Sequence, residues 1–177
     1  MSDSFERYDW ERLNHLQIGK YAEYLAKMEF VLCGCEVFTS EVDDRGIDFV
    51  IRSRQGTDTE SGLPSVHYYD VQVKSFRSKK SQTPYIFLPQ DKFEISPTSL
   101  LVLVQFERAK PPILYLLPSS VQGKPNPLFE DRKYGEGKKS PPEWGLTVSK
   151  KKLELLIKDC CFQEAVTRLG IRTNKVV

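Results

Sequence analysis

The stretch YYDVQVKS, residues 68–75, alternates apolar and polar side chains. An extended strand turns successive side chains to opposite faces. Tyr69, Val71 and Val73 therefore share one face, and Asp70, Gln72 and Lys74 the other. An acid, an amide and an ammonium in one line suit plain contact with water. They equally suit a metal ion and a phosphate.

The segment before it repeats the pattern. IDFVIRS, residues 47–53, puts Ile47, Phe49 and Ile51 on one face and Asp48, Val50 and Arg52 on the other. DDRG, residues 43–46, reads as a turn into that strand, and CEVFTSEV, residues 35–42, as a short strand before it. The polar Gly/Ser-rich stretch 54–65 reads as a mobile loop between the two main strands.

Further upstream, residues 14–32 have helical periodicity, with Asn14 as N-cap and Gln17 completing a capping box. Two stripes run along this helix. Ile18, Tyr21, Leu25, Met28 and Leu32 are large; Gly19, Ala22, Ala26 and Phe30 are mostly small, with Glu23 at their edge. Small residues allow close approach to a sheet, so Glu23 is expected near the sheet surface. A carboxylate held there needs a positive partner to offset its desolvation.

Downstream, SLLVLVQFE, residues 99–107, is almost continuously apolar and reads as a buried central strand. PPILYLLPS, residues 111–119, is its expected hairpin neighbour, and PYIFLP, residues 84–89, a shorter strand. Residues 121–143 are rich in Pro, Gly and charge and read as irregular; WGLTVS, residues 144–149, is extended. Ser149 caps an expected final helix over 150–169, closed by Gly170. Helix, strands and helix in this order predict an α/β (α+β) domain with a mixed central β-sheet flanked by helices.

A chain of 177 residues with 40% apolar and 28% charged residues is expected to form a single domain over 1–177. The net charge of +2 neither requires nor forbids a polyanionic partner. Basic residues cluster after the key strand, at Arg77, Lys79 and Lys80, and in the last third of the chain. The N-terminus lacks the build of a secretory leader, and no apolar run approaches a membrane span of about 18 residues. Cys33, Cys35, Cys160 and Cys161 lack zinc-site spacing and read as thiols of a reducing compartment. A cytoplasmic protein is the expectation.

Asp48 and Gln72 fall on neighbouring antiparallel strands, where facing side chains stand about 5 Å apart. That is close enough to share one divalent cation through hard oxygens. Lys74, two residues on, can orient water or offset charge on a phosphate. Glu23 can hold a water or a second metal.

These residues, within GKYAEYLAKMEFVLCGCEVFTSEVDDRGIDFVI (19–51) and YYDVQVKS, resemble the restriction-endonuclease-like superfamily, the PD-(D/E)XK nucleases. The likeness runs to bacterial domains of unknown function with the pattern G…AE…GIDFVI…VQVK. It covers roughly residues 17–76. It implies an αβββαβ core, catalytic Glu23, Asp48, Gln72 and Lys74, and Mg²⁺ or Mn²⁺ on Asp48, Gln72 and Glu23. It further implies DNA, or less favoured RNA, as partner, backbone contacts from Arg77, Lys79 and Lys80, and a homodimer. The departure is Gln72, where the family's usual residue is an acid. That departure keeps a second reading in view: a nucleic-acid-binding or assembly module that retains the fold without turnover.

Overall fold

In the computed structural model, which describes residues 6–39, 46–57, 62, 64–79, 81–121, 124–133 and 141–171, helix α1 runs His15–Leu32. Its start carries the expected capping box: Asn14 accepts from the Gln17 backbone, and Gln17 accepts from the Asn14 backbone. Strands β1 (Glu36–Phe38), β2 (Phe49–Thr57) and β3 (Pro64–Arg77) follow. Next come β4 (Tyr85–Pro89), β5 (Ser99–Phe106) and β6 (Ile113–Pro118). The later strands are β7 (Ser120–Val121), β8 (Lys124–Pro125), β9 (Glu130–Arg132) and β10 (Glu143–Thr147). Helices α2 (Lys150–Asp159) and α3 (Phe162–Arg168) end the described chain.

The main sheet has the order β1-β2-β3-β5-β6. Only β3 and β5 are parallel; β1-β2, β2-β3 and β5-β6 are antiparallel. A parallel pair needs a crossover, commonly a helix. Here the crossover carries β4 and a turn at 90–92, so where the family resemblance implies a helix the chain supplies a strand of a second sheet, ordered β4-β10-β9. Strand β5 is buried along its whole length, as its apolar run requires.

Alternation assigns the two faces. Phe49, Ile51, Val71, Val73, Leu100 and Val102 join one core cluster with Ala22, Ala26 and Phe30 of α1 and with Phe162, Ala165 and Val166 of α3. Leu101, Leu103, Tyr115 and Leu117 pack on the opposite face with Leu88, Leu146 and Leu156, beneath the second sheet and α2. The small-residue stripe of α1 is thus the one against the sheet. The large stripe divides: Ile18 is buried, whereas Tyr21, Met28 and Leu32 are exposed.

Three expectations need correction. The final helix is broken. Residues Cys160 and Cys161 leave helical geometry, Cys161 bridges to Tyr115, and the Cys160 carbonyl accepts from Leu116 N. The break carries the chain past edge strand β6, so α2 serves one core cluster and α3 the other; it also satisfies that edge's backbone groups. Within 54–65, residues 54–57 and 64–65 are strand rather than loop, because β2 continues to Thr57 and β3 begins at Pro64, with a register shift between Gln55 and Thr57; residues 58–61 and 63 lie outside the described residues. The region 121–143 includes β8, β9 and the start of β10. Residues 43–45 of the predicted turn lie outside the described residues. Among the described residues no helix is long and apolar enough to cross a membrane.

Candidate functional site

The β2-β3 ladder ends at the pair Phe49↔Val71, which leaves Asp48 opposite Gln72 with no further strand pairing. Backbone groups beyond the ladder still need partners. Asp48 supplies them: its N–H donates to the Val71 carbonyl at 2.9 Å, and its Oδ2 accepts from Val73 N–H at 2.6 Å. The carboxylate is therefore fixed against β3 between the two residues of the Q-x-K motif.

Gln72 is 7% exposed, and its Oε1 is buried without a hydrogen-bond partner. An orphaned buried oxygen costs about 1–3 kcal/mol. Gly46 explains part of the local geometry. It has φ +70°, and a Cβ there would come within 2.8 Å of Gln72 Nε2 and 2.9 Å of the Lys92 carbonyl oxygen. Only glycine permits both the left-handed backbone and that approach.

Lys74 lies two residues along the same face, half-buried, and makes no hydrogen bond or ion pair among the described residues. A cleft of about 470 Å³ opens beside Gln72 beneath the 90–94 segment; Asp70, Lys92 and Glu94 are among its lining residues. Burial, then the like charge of Glu94, pushes the Asp70 carboxyl above the ordinary carboxylate range.

Glu23 stands on α1, against the opposite face of β3 from Gln72 and Lys74. Its side chain is 21% exposed and binds Lys20 at 2.6 Å. That hydrogen bond and the Glu23 charge raise Lys20 above its ordinary pKa, with smaller contributions from Tyr24 and Asp48. Lys20 is the positive partner that a half-buried Glu23 calls for. The structure sets Asp48 opposite Gln72, with Lys74 two residues on along the same face of β3; it does not bring Glu23 to them, and of these residues only Gln72 lines the cleft.

The basic run after β3 has other partners. Arg77 donates to the Trp10 carbonyl at 2.9 Å and to the Leu13 carbonyl, which pins the N-terminal turn Trp10–Arg12 to the sheet. Lys79 faces Glu11 at 3.9 Å. Lys80 lies outside the described residues. Lys20, Gly46 and Glu94 were not singled out from the sequence. The i,i+3 spacing of Lys20 and Glu23 was the one available signal for the first.

Metal-binding capacity is limited to hard oxygens. Among the described residues no three His, Cys, Asp or Glu side chains converge on one point. The donors that fit are the Asp48 carboxylate and the orphaned Gln72 Oε1, a set suited to Mg²⁺, which keeps several waters. None of the four cysteines forms a disulfide among the described residues.

No protein-family model and no curated protein matches the chain. Among solved structures, the bacterial homing endonuclease I-Ssp6803I is similar at 18% identity, over 78% of this chain and 82% of that one, with a TM-score of 0.43.

Proposed function

We propose that this chain is a metal-dependent endonuclease that hydrolyses phosphodiester bonds in DNA. The observation that carries the reading is the buried Oε1 of Gln72 opposite Asp48, without a hydrogen-bond partner among the described residues, and Lys74 on the same face, without an ion pair among them. A protein gains nothing in stability from an orphaned buried oxygen; a cation there satisfies it.

Asp48 and Gln72 would hold Mg²⁺ or Mn²⁺. When bound, that ion supplies Lewis-acid polarisation of the phosphate and a more acidic water. Lys74 orients the water or offsets the charge that grows on the phosphate. Glu23, on the other face of β3 and paired with Lys20, takes no direct part at the metal position. Lys92, lining the cleft, meets the nucleic-acid backbone, so binding weakens as salt rises.

The test compares the wild type with Asp48→Asn and Lys74→Ala on plasmid and single-stranded DNA, with Mg²⁺ or Mn²⁺. Asparagine retains an acceptor for Val73 N–H, so a loss reports on charge rather than on folding. Each variant is expected to lose at least about a hundredfold in rate. Asp48→Asn should also weaken Mn²⁺ binding measured by calorimetry. Cleavage that persists unchanged in both variants sinks the assignment.

One observation favours a second reading, a nucleic-acid-binding or assembly module. The metal position carries a neutral amide, a weaker ligand than a carboxylate. DNA binding without cleavage in either metal would select that reading.

A further inference from the structure

The cleft beside Gln72 is lined by two acids outside the Q-x-K motif. Asp70 stands two residues before Gln72 on the same face of β3, and Glu94 follows the turn at 90–92. Both line the cleft together with Gln72. We infer that Asp70 and Glu94 complete a divalent-cation site in this cleft, with the orphaned Oε1 of Gln72 as the third protein ligand.

The unmet bonding capacity of the cleft points to a cation. Gln72 is 7% exposed, and its Oε1 lacks a hydrogen-bond partner among the described residues. A buried acceptor in that state calls for a donor or a positive ion. Asp70 and Glu94 make no side-chain hydrogen bond or ion pair among the described residues. Lys92 lines the same cleft, yet it pairs with neither acid among them. Glu94 is near enough for its charge to act on Asp70. Two like charges facing one cleft repel, and a divalent cation between them turns that repulsion into attraction to a shared centre.

Charge and ligand type agree with this placement. Because Gln72 is neutral, Asp48 by itself brings one negative charge to a 2+ ion. Asp48 does not line the cleft, and its Oδ2 already accepts from Val73 N–H. Asp70 and Glu94 supply two further charges from the open side. Alternate residues of a strand stand about 7 Å apart, a span that a carboxylate and an amide close on one ion directly or through one water. Two carboxylates, an amide oxygen and waters form a hard-oxygen set that suits Mg²⁺ or Mn²⁺. Asp91 lines the cleft as well, but among the described residues no three acids are grouped to hold a metal, so water fills the rest of the shell. The inference rests on the cation of the proposed function, and not on cleavage.

Mn²⁺ binding to the full chain without nucleic acid tests it, by calorimetry and by the Mn²⁺-induced rise of the thermal midpoint. Asp70→Asn and Glu94→Gln keep side-chain size and remove one charge each. Circular dichroism checks the fold, and Glu94 is exposed outside the sheet, so its variant keeps the test open if Asp70→Asn fails to fold. Each variant should raise the Mn²⁺ dissociation constant at least about tenfold, and the double variant at least about a hundredfold, with the midpoint rise abolished. Asp91→Asn, the control for diffuse charge, should change it less than about threefold. No Mn²⁺ binding by the wild type at millimolar concentration, unchanged affinity in both variants, or an equal loss in Asp91→Asn overturns the inference. Weakening by Asp48→Asn alone also overturns it and leaves the nuclease reading intact. Binding that depends on Asp70 and Glu94 in a chain that cleaves no DNA supports this site and sinks the nuclease reading instead.

Discussion

The two faces of β3 differ in chemistry more than in burial. Val71 and Val73 are sealed beneath α1, and Gln72 between them is as inaccessible as Val73. On the apolar face every contact is satisfied by another side chain. On the other, among the described residues, the Gln72 amide oxygen has no hydrogen-bond partner and the Lys74 ammonium no ion pair. Burial alone does not separate core from site; unmet bonding capacity does.

Substituting one residue on each face should pull stability and activity apart. Lys74→Ala removes a side chain that makes no bond among the described residues. The expectation is an unfolding free energy within about 0.5 kcal/mol of wild type and a cleavage rate lower by about 10²–10⁴. Val71→Ala leaves a void in the cluster beneath α1. It should cost about 2 kcal/mol in urea unfolding and leave the rate per folded molecule unchanged. If Lys74→Ala destabilises as much as Val71→Ala, the two faces are equivalent and the lysine is structural.

Gln72→Met gives a subtler contrast. Methionine has similar volume and no orphaned oxygen. The variant should be more stable by about 1 kcal/mol in the same denaturation series, while metal binding and cleavage are lost. A site that raises stability when disabled is the signature of a position kept for chemistry. A loss of stability instead would mean that the Gln72 amide supports the fold around Gly46 and Lys92.

Much of this contrast is legible in the residues. The alternation at 68–75 gives the faces of β3, the apolar run at 99–107 gives β5, and the capping residues give the start of α1. What is not legible depends on tertiary context. Nothing in Cys160-Cys161 breaks a helix by propensity; the chain bends there because it must pass the β6 edge and feed two clusters. The stretch 54–65 is polar and glycine-bearing, yet its described ends, 54–57 and 64–65, continue the ladder of β2 and β3. Likewise the sheet face that Glu23 adjoins, opposite from Gln72, follows only from how α1 packs on β3. The unpaired oxygen of Gln72 is invisible in sequence, since satisfaction is a property of the folded neighbourhood.

The smallest expected effect comes from the sealed side of the comparison. Each core cluster contains one buried thiol, Cys35 in the first and Cys160 in the second. Burial is the leading cause that pushes both up to about 11, from an ordinary value of 9.0. Burial likewise pushes the Tyr115 phenol up to about 12. For each group the native state keeps a proton that the unfolded chain releases. The associated stability is therefore fully present below pH 9 and is lost as pH rises from 9 toward 11 for the thiols, and from 10 toward 12 for Tyr115. At pH 9 the loss should be a few tenths of a kcal/mol once solvent screening is allowed for, and it should grow by pH 10. Urea midpoints at pH 8, 9 and 10 measure it. Thiol-reagent kinetics at pH 8 supply the residue assignment: half-buried Cys33 and Cys161 should react first, and Cys35 and Cys160 only as the fold opens. A flat midpoint with four equally fast thiols would mean that the clusters admit water, and that the face opposite Gln72 is no more closed than the site.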